Sequence, residues 1–567
     1  MPWNQRKLSV PTMGRFFFFL LVLCTFQGCA MPPKSSESFD TTVTTTTTVT
    51  TTKSTTTDAF ELDEATIADL QLRMTNGKDT ARSLTEKYLK RIEEIDRNGP
   101  TLKSVIELNP DALSIADALD DERKSRGSRG MLHGIPVLIK GNIATADRMT
   151  TTAGSFALEG SIAPQDAFIV KQLRAAGAVI IGKTNLSEWA NMRSTHSSSG
   201  WSAIGGQTKN PYALDRNPSG SSSGSGSAIA ANLAAVAVGT ETDGSIVSPA
   251  NNNGLVGIKP TLGLVSRTGI IPIAHSQDTA GPMARTVTDA AILLGVLAGA
   301  DEADPITAES TSMGKREYTA SLDRNGLRGA RIGVVRAKFM GYSADVDLVM
   351  EATIADLKRL GAIIVDPANI PTLGQFDESE MTVLLYELKS DLPKYFQWLG
   401  DKSPMHSLAD VIAFNKQNAS REMPFFKQEL FEMAEAKGPL TDPEYLDALA
   451  MNRRLAGPEG IDAVMDQYQL DALVAPTSCE AWLIDHLNGD AVSGGSSSPA
   501  AVAGYPDITV PAGQVNGLPL GVSFFGRAWS EPLLIKYAFA FEQATKHRKS
   551  PLFFDSVKSS AGASSAR

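Results

Sequence analysis

Two segments of this chain carry residues that could together cleave an amide or an ester. Residues 218–250 contain two loops rich in serine and glycine, and residues 134–142 contain an apolar run that ends in Lys140. A serine hydroxyl is a weak nucleophile until a base within hydrogen-bonding reach takes its proton. A buried lysine can be that base, because burial lowers the pKa of its amine from about 10.4. These residue types indicate nucleophilic catalysis by serine.

The same loops permit two other interpretations. Residues 220–224 match G-x-S-x-G, the turn that presents the nucleophile in α/β-hydrolases. That interpretation makes Ser222 the nucleophile and requires an acid and then a histidine downstream, for which His486 and His547 are the candidates. A structural linker would also be rich in serine and glycine. The residues alone leave these interpretations open.

A third motif concerns phosphate binding. Residues 177–184 match G-x-x-x-x-G-K-[ST], the phosphate loop of nucleotide-binding proteins. In that motif the four middle residues form a loop whose N–H groups bind phosphate. Here they are Ala-Val-Ile-Ile at residues 178–181, which favour a strand. We therefore expect no nucleotide site.

Composition excludes several classes of function. The 567 residues carry a net charge of −10, and 42% of them are hydrophobic, which is enough for a large core. Nucleic-acid binding calls for a basic face, so we expect no nucleic-acid partner. The cysteines are Cys24, Cys29 and Cys479, which leaves no pair for a disulfide beyond residue 29 and no cysteine cluster for a metal. No stretch after residue 60 is apolar enough to span a bilayer.

The N-terminus has the pattern of an export signal. Basic residues precede an apolar run at residues 16–26, which has the length of a signal-peptide core rather than of a membrane span. The run leads into Phe-Gln-Gly-Cys, which resembles a bacterial lipoprotein cleavage box with Cys29 as the lipidated residue. We expect residues 1–29 to be a signal peptide of the lipoprotein type, and the protein to lie in the periplasm or cell envelope. A cleaved secretory signal without a lipid is the alternative.

The remaining chain divides into a tether, a folded domain and a tail. Residues 30–58 are rich in serine and threonine and of low complexity, so we expect a disordered tether. We expect one folded domain at residues 59–547, a polar tail at residues 548–567, and a monomer. Membrane contact is expected only through the N-terminal lipid.

Helical and strand patterns alternate along the predicted domain. Helices are predicted at residues 80–98, 111–123, 170–176, 347–360 and 531–544. Buried strands are predicted at residues 178–181, 330–335, 362–365, 473–476 and 508–511, and another within residues 134–142. Residues 370–460 are predicted to be mostly helical. This alternation predicts an α/β fold with a large, mostly parallel twisted sheet and helices on both faces.

Several ordered motifs resemble those of the amidase signature family. Residues 218–225 (PSGSSSGS) and 239–246 (GTETDGSI) stand where the family has PGGSSGGS and GTDTGGSI. Residues 134–142 (GIPVLIKGN) match GIPVxxKDN, with Gly141 in place of the usual aspartate. Further matches are GKTN at 182–185, GIKPT at 257–261, DTAGPMAR at 278–285 and the segment 506–526. The resemblance covers roughly residues 60–545 and implies an amidase with the family's single-domain α/β fold.

The resemblance implies a Ser-Ser-Lys triad, in which Ser245 is the nucleophile, Ser221 the bridging serine and Lys140 the base. It implies a cis peptide bond between Gly220 and Ser221, with Ser222 supporting the loop. It also implies an oxyanion hole made by the backbone N–H groups of Thr242, Asp243, Gly244 and Ser245. Ammonia would leave with a proton from Ser221, and water would hydrolyse the acyl-enzyme. No metal or cofactor is implied.

Within the family, GSSSGSG and GTETDGSIV resemble the sequences of bacterial peptide amidases, which remove the C-terminal amide of peptides. Ser223, Asp243 and Val247 are the departures that point this way. A peptide or small-molecule amide is therefore the expected substrate, with fatty, aliphatic or aryl amides as alternatives. The amidase component of tRNA-dependent amidotransferases works in the cytoplasm within a larger complex, which an exported chain does not fit. A non-catalytic surface-binding lipoprotein on an amidase scaffold is the alternative from another class.

Overall fold

The computed structural model describes residues 60–313 and 317–557. The predicted signal peptide at residues 1–29, with Cys29, and the predicted tether at residues 30–58 lie outside the described residues. The same is true of the last ten residues of the predicted tail, 558–567.

An eleven-stranded sheet forms the centre of the fold, in the order β1-β3-β2-β6-β8-β7-β12-β13-β11-β9-β10. The strands are β1 (Val105–Leu108), β2 (Pro136–Lys140), β3 (Val179–Thr184), β4 (Trp201–Ser202), β5 (Gly206–Gln207), β6 (Val236–Glu241), β7 (Val256–Lys259), β8 (Thr279–Ala284), β9 (Arg331–Val334), β10 (Ile363–Val365), β11 (Ala472–Pro476), β12 (Asp507–Val515) and β13 (Leu518–Phe525). Strands β4 and β5 pair only with each other.

The sheet is mixed rather than mostly parallel. Parallel pairing joins β3 to β2, β2 to β6, β11 to β9 and β9 to β10, whereas the other six junctions are antiparallel. The connection between β12 and β13 shows the reason. It consists of Asn516 and Gly517, both with positive φ, and a two-residue connection of this kind makes an antiparallel hairpin. The prediction of a mostly parallel sheet is wrong on this point, and the α/β class is confirmed.

Helices surround the sheet, and strands such as β2, β3, β6 and β11 are buried at every position, so both of their faces are covered. No helix in the described part of the chain combines the length and the apolar character that a membrane crossing needs. The α-helices are α1 (Ile67–Thr75), α2 (Ala81–Arg91), α3 (Ala112–Arg126), α4 (Phe168–Ala175), α5 (Ser223–Ala230), α6 (Val247–Asn252), α7 (Val287–Leu297), α8 (Ala308–Met313), α9 (Ala344–Arg359), α10 (Asp377–Leu399), α11 (Leu408–Gln417), α12 (Ala419–Glu422), α13 (Glu429–Glu435), α14 (Pro443–Ala456), α15 (Asp462–Tyr468), α16 (Ser498–Ala503) and α17 (Glu531–Thr545).

Most elements predicted from the sequence are confirmed. Strand β2 ends in Lys140, and β9, α9 and β10 form the predicted strand–helix–strand unit with parallel strands. The predicted helix at residues 80–98 is α2 followed by a π-helical segment, Ile92–Asn98. Helices α10 to α14 fill most of the segment that was predicted to be helical, residues 370–460.

Two adjacent strands bring the chemistry-bearing segments together. Strands β2 and β6 pair in parallel, with Ile139 opposite Val238. Their carboxyl ends therefore meet at one edge of the sheet, which is where ligands bind in α/β folds. Lys140 is the last residue of β2, and Glu241 is the last residue of β6.

The folded body continues past residue 547, where the polar tail was predicted to begin. Arg548 donates from Nε and Nη2 to the two carboxylate oxygens of Glu64, at 2.7 Å each. Further on, the Phe554 carbonyl accepts from the Leu214 N–H at 2.8 Å, and the Asp555 carbonyl accepts from the Asp215 N–H at 3.2 Å. The prediction is wrong for residues 548–555, because their polar groups bind partners that are distant in the sequence.

Candidate active site

Lys140 and Ser221 form the centre of the site. Lys140 is completely buried, and its Nζ lies 2.7 Å from Ser221 Oγ, 2.9 Å from Thr240 Oγ1 and 3.2 Å from the Thr240 carbonyl oxygen. Burial lowers the pKa of Lys140 to about 7, although the charges of Asp278 and Glu241 oppose the shift. Near neutral pH a substantial fraction of this amine is uncharged and able to take the Ser221 proton.

The chain around Ser221 leaves no room for larger side chains. The Gly220–Ser221 peptide bond is cis, as the resemblance implied. A Cβ at Gly220 would lie 2.2 Å from Ser187 Oγ and 3.0 Å from Ser199 Oγ, so only glycine fits there. The Ser221 carbonyl accepts from the Ser187 N–H at 3.1 Å. These contacts support the predicted supporting role of Gly220.

Ser245 lies between β6 and α6, next to the Ser221 segment. Its carbonyl accepts from the Ser222 N–H at 3.2 Å, which joins the two serine-rich loops. Ser221 is fully buried, whereas Ser245 retains 8% of its exposure. Within the described residues, Ser245 Oγ has no hydrogen-bond partner, and no direct bond joins it to Ser221. The structure therefore brings Lys140 and Ser221 into contact and leaves the Ser245 hydroxyl without a hydrogen-bond partner among the described residues.

Glu241 is a residue that the sequence analysis did not single out, although it sets the shape of the loop at Ser245. Its buried carboxylate accepts from the N–H groups of Gly244 at 2.9 Å, Ile246 at 2.7 Å and Val247 at 3.1 Å. Burial raises the pKa of Glu241, while the charge of Lys259 and the N–H donors oppose that rise. An acid at the end of a buried strand, just before a loop of small residues, was the available signal.

The hydrogen bonds to Glu241 require a correction to the predicted oxyanion hole. The Gly244 N–H donates to Glu241 and is not free for a substrate oxygen, so the prediction is wrong for that group in this conformation. In the described part of the chain, the N–H groups of Thr242, Asp243 and Ser245 have no protein acceptor, and for them the role stays a prediction. Gly244 is needed for another reason, because its φ is +74° and a Cβ would lie 2.9 Å from Ser497 Oγ.

The geometry contradicts the α/β-hydrolase interpretation. Ser222 Oγ is fully buried, donates to the Thr240 carbonyl at 3.0 Å and accepts from the Thr240 N–H at 3.2 Å. His486 binds Gln207 Oε1 at 2.8 Å through Nε2 and so does not face Ser222. His547 Nε2 lies 3.7 Å from a carboxylate oxygen of Asp356, on another part of the molecule. Ser222 supports the loop, as the resemblance implied.

A second buried lysine lies close to the site without belonging to it. Lys183 is part of β3, which confirms that residues 178–181 are not a phosphate loop. It pairs in register with Ile139, so its side chain lies on the opposite face of the sheet from Lys140. Lys183 Nζ donates to Thr151 Oγ1 at 2.6 Å, and burial lowers the pKa of Lys183 to about 7. Lys183 therefore resembles Lys140 in its burial and its lowered pKa, but its hydrogen-bond partner is different.

A cavity of about 640 Å³ adjoins the residues that bind Lys140. This volume is in the range of small-molecule and peptide pockets. None of the three predicted triad residues lines it, but Asn142, Thr240 and Thr242 do. Its walls combine apolar and aromatic side chains with ion pairs, and they include Phe168, Arg267, Ile271, Ile273, Asp304, Asp391, Lys394, Tyr395 and Trp398.

His275 and Asp391 of this wall form, with the adjacent Glu387, a cluster that has the residue types of a metal site. His275 Nδ1 lies 2.7 Å from Asp391 Oδ2, and its Nε2 lies 3.4 Å from Glu387 Oε1. Glu387 also accepts from the Tyr445 hydroxyl at 2.7 Å, and Lys394 Nζ lies 2.8 Å from Asp391. Because a lysine and hydrogen-bond donors already occupy these carboxylates, we interpret the cluster as an ion-pair network.

Comparison with known proteins agrees with this geometry. The amidase family profile matches residues 83–535. A probable amidase of Arabidopsis thaliana is 44% identical over 503 residues, which covers 87% of this chain and 92% of that protein. The glutamyl-tRNA(Gln) amidotransferase of Pseudomonas aeruginosa has a component that is 34% identical over 505 residues, covering 87% of this chain and 100% of that component.

A solved structure is also similar. The peptide amidase of Stenotrophomonas maltophilia superposes with a TM-score of 0.84 at 54% identity, covering 87% of this chain and 99% of that chain. The chain therefore belongs to the amidase signature family and is an amidase, a hydrolase of carbon–nitrogen bonds.

Proposed function

We propose that this amidase removes the C-terminal amide of peptides and releases ammonia, with Ser245 as nucleophile, Ser221 as bridging serine and Lys140 as base. The observation that carries the proposal is the completely buried Lys140 amine, 2.7 Å from Ser221 Oγ. The 54% identity to a peptide amidase supports the choice of substrate.

The contacts suggest how the reaction proceeds. Neutral Lys140 takes the Ser221 proton while Ser221 takes that of Ser245, and Ser245 Oγ bonds to the amide carbon. The N–H groups of Thr242, Asp243 and Ser245 stabilise the oxyanion. Ser221 then gives a proton to the nitrogen and regains one from protonated Lys140, the C–N bond breaks and ammonia leaves. Water attacks the acyl-enzyme by the same proton route and releases the carboxylate.

The cavity supports a peptide better than a fatty amide. Its aromatic and aliphatic walls suit peptide side chains, and its ion pairs suit the polar groups of a peptide backbone. A long alkyl chain would remove water from the ion pairs, such as that between Arg267 and Asp304, without offering them a hydrogen bond. The lowered pKa of Lys140, which contacts Ser221, and the Ser245 hydroxyl, which is unpaired among the described residues in the loop joined to the Ser221 segment, also favour an enzyme over a non-catalytic scaffold.

Ammonia release from a short peptide amide tests this function. We expect turnover by the wild type and a loss of at least about 10³-fold in kcat/KM for Ser245→Ala, because the triad residues act as a unit. Ser125→Ala, at an exposed position of α3, is the matched control and should behave as wild type. A fatty primary amide is measured in parallel.

Each outcome of that assay has a distinct meaning. Turnover of the fatty amide alone would keep the triad and overturn the peptide substrate. If neither amide is hydrolysed and a fluorophosphonate does not label Ser245, the binding scaffold becomes the better explanation.

We also propose that the protein is exported and anchored through a lipid on Cys29, with residues 30–58 as the tether and the domain acting as a monomer. The leader pattern supports this proposal. Metabolic palmitate labelling is expected in the wild type and in Cys479→Ala, whose cysteine is buried in the folded body, but not in Cys29→Ala. Label retained by Cys29→Ala would contradict the anchor, and a dimeric mass by light scattering would contradict the monomer.

A further inference from the structure

Thr240 supplies two of the three hydrogen-bond partners that the Lys140 amine has in the described part of the chain. Lys140 Nζ lies 2.9 Å from Thr240 Oγ1 and 3.2 Å from the Thr240 carbonyl oxygen, and the third partner is Ser221 Oγ at 2.7 Å. Thr240 belongs to β6 and is 7% exposed. Both of its oxygens are therefore held beside the base by a buried strand.

The types of these partners decide where the neutral amine can direct its lone pair. A neutral lysine amine has two N–H groups and one lone pair. The Thr240 carbonyl can only accept, so it takes one N–H. When Thr240 Oγ1 accepts the other N–H, the lone pair is left for the hydroxyl of Ser221. Protonation then adds a third N–H along the same line, and the two bonds to Thr240 need not change.

Asn142 holds the Thr240 side chain in the position that this arrangement requires. A threonine Oγ1 has three staggered positions, of which one is used here. Asn142 Nδ2, which can only donate, lies 3.0 Å from Thr240 Oγ1. Asn142 is itself 4% exposed, and its Oδ1 has no partner among the described residues. Its hydrogen bond to Thr240 is therefore the polar contact that fixes the two side chains relative to each other.

Ser222 holds the backbone of Thr240 in the same way. Ser222 Oγ donates to the Thr240 carbonyl at 3.0 Å and accepts from the Thr240 N–H at 3.2 Å. The carbonyl oxygen that accepts from Lys140 is thus bound from a second side. Together, Ser222 and Asn142 fix the main chain and the side chain of Thr240.

We propose that Thr240 is a positioning residue that binds the two N–H groups of neutral Lys140 and so directs its lone pair at Ser221 Oγ, with Asn142 keeping the Thr240 hydroxyl in place. Both residues act through Lys140, and neither forms a bond to the substrate carbon. The inference rests on the proposed role of Lys140 as the base. It assigns a task to two residues that line the cavity next to the base.

The Thr240 hydroxyl also affects the titration of Lys140. A hydrogen bond donated by a charged amine is stronger than one donated by a neutral amine, so an acceptor at Thr240 Oγ1 favours the protonated form. Loss of this acceptor lowers the pKa of Lys140 below its value of about 7. Without the hydroxyl, Lys140 is neutral at lower pH and yet takes the Ser221 proton more slowly, because its lone pair is no longer directed.

The charges around Lys140 are the same in all the variants used below. Those that interact with it are the charges of Asp278 and Glu241. On β3 the residue opposite Lys140 is Thr184, and residues 219–225 are all serine or glycine. Each substitution exchanges one neutral residue for another. A shift of the pH profile therefore reports the hydrogen bond and not a changed charge.

The first experiment removes the Thr240 hydroxyl and measures hydrolysis of a short peptide amide. Thr240→Val is expected to lower kcat by about 10²-fold with little change in KM, as misplaced catalytic groups do. The pH at which kcat/KM is half-maximal should fall by about 0.5–1 unit. Thr240→Ser keeps the hydroxyl and should restore both values. Thr353→Val is the matched control, because it removes a buried hydroxyl that donates to a carbonyl in α9.

A double mutant tests whether Asn142 acts through Thr240. Asn142→Leu is expected to lower kcat by about 10-fold, with KM little changed. In the Thr240→Val background the same substitution should cause no further loss, because two residues that act through one contact are not additive. Additive losses would show that Asn142 acts elsewhere, for example on the substrate in the cavity, and would overturn its assigned task.

The outcomes separate this inference from the proposed function. Lys140→Met is measured first, and a variant that keeps its activity would overturn both the base and this inference. With the base supported, unchanged or higher kcat in Thr240→Val would overturn the positioning role, since a hydroxyl that donates to the lone pair would inhibit the base. So would a loss of kcat with an unshifted pH profile. If Thr240→Val does not fold in thermal unfolding, Asn142→Leu decides, and a change in KM alone would overturn the inference.

Discussion

Replacing Lys140 with methionine is expected to abolish amide hydrolysis and to make the protein more stable. Activity should fall by at least about 10³-fold, because no other group lies within reach of Ser221 Oγ to take its proton in the described residues. The pKa of Lys140 is about 7, against an ordinary value of 10.5. At pH 7 this shift costs about 4 kcal/mol of folding free energy, which methionine avoids.

The stability that Lys140→Met gains should be smaller than the free-energy cost of the lowered Lys140 pKa, and it should depend on pH. Methionine loses the hydrogen bonds to Ser221 and Thr240, so we expect an increase of about 1–3 kcal/mol in the free energy of unfolding by urea at pH 7. Between pH 7 and 10 the unfolded wild type binds more protons at this lysine than the folded one does. Wild-type stability from this group therefore rises with pH, and the advantage of methionine should shrink toward pH 10.

The activity of the wild type should show the same pKa. Because Lys140 acts as a base only when neutral, kcat/KM should rise with pH and reach half its maximum near pH 7. Lys183→Met is the matched control, since Lys183 is equally buried, has a pKa of about 7 and lies on the opposite face of the sheet. It should gain stability and keep activity. A Lys140→Met variant that is less stable than wild type, while Lys183→Met is more stable, would contradict the account.

Replacing Glu241 with alanine is expected to have the largest effect on stability. Its carboxylate accepts from three backbone N–H groups, and all three lose their acceptor in the variant. Leaving buried donors unpaired costs about 1–3 kcal/mol each, so for three donors we expect a loss of about 3–9 kcal/mol in the free energy of unfolding. Lys259, which is also buried, loses its largest compensating charge at the same time.

The activity of Glu241→Ala should fall together with its stability, because the hydrogen bonds to the Glu241 carboxylate also shape the loop that carries Ser245. We expect a loss of at least about 10²-fold in kcat for Glu241→Ala at temperatures where the variant is still folded. Glu241→Gln keeps one oxygen acceptor and should be intermediate in stability and in kcat. Glu86→Ala, at an exposed position, controls for loss of an acid. Unchanged kcat in a folded Glu241→Ala protein would show that the loop keeps its shape without these bonds.

Features encoded within a few residues could be predicted from the sequence. The strand that ends in Lys140 follows from a short apolar run after proline, and α9 and α17 follow from helical periodicity. The motifs around Ser221 and Ser245 were recognisable because each is continuous in the chain. The hairpin at Asn516 and Gly517 had an equally local signal that the prediction of a mostly parallel sheet did not use.

Contacts between distant residues could not be predicted in this way. Arg548 is charged and near the C-terminus, which suggested a polar tail. Its guanidinium nevertheless donates two hydrogen bonds to the carboxylate of Glu64. Gln277 donates both to Glu380 and to the Thr242 carbonyl, and so joins α10 to a loop that precedes it by more than a hundred residues. Helical periodicity shows that Glu380 and Glu387 lie on the same face of α10, but it does not show which residues that face contacts.

The sequence by itself determined the α/β class, the position of Lys140 at a strand end and the two serine loops, because each depends on local pattern and residue type. Only the tertiary structure decided the strand directions and the environment that lowers the pKa of Lys140. The tertiary structure also decided which backbone N–H groups donate to Glu241 and which have no protein acceptor in the described residues. The physical reason is that burial and hydrogen-bond pairing depend on which distant segments fold against each other, and these choices are not encoded in any single stretch of the chain.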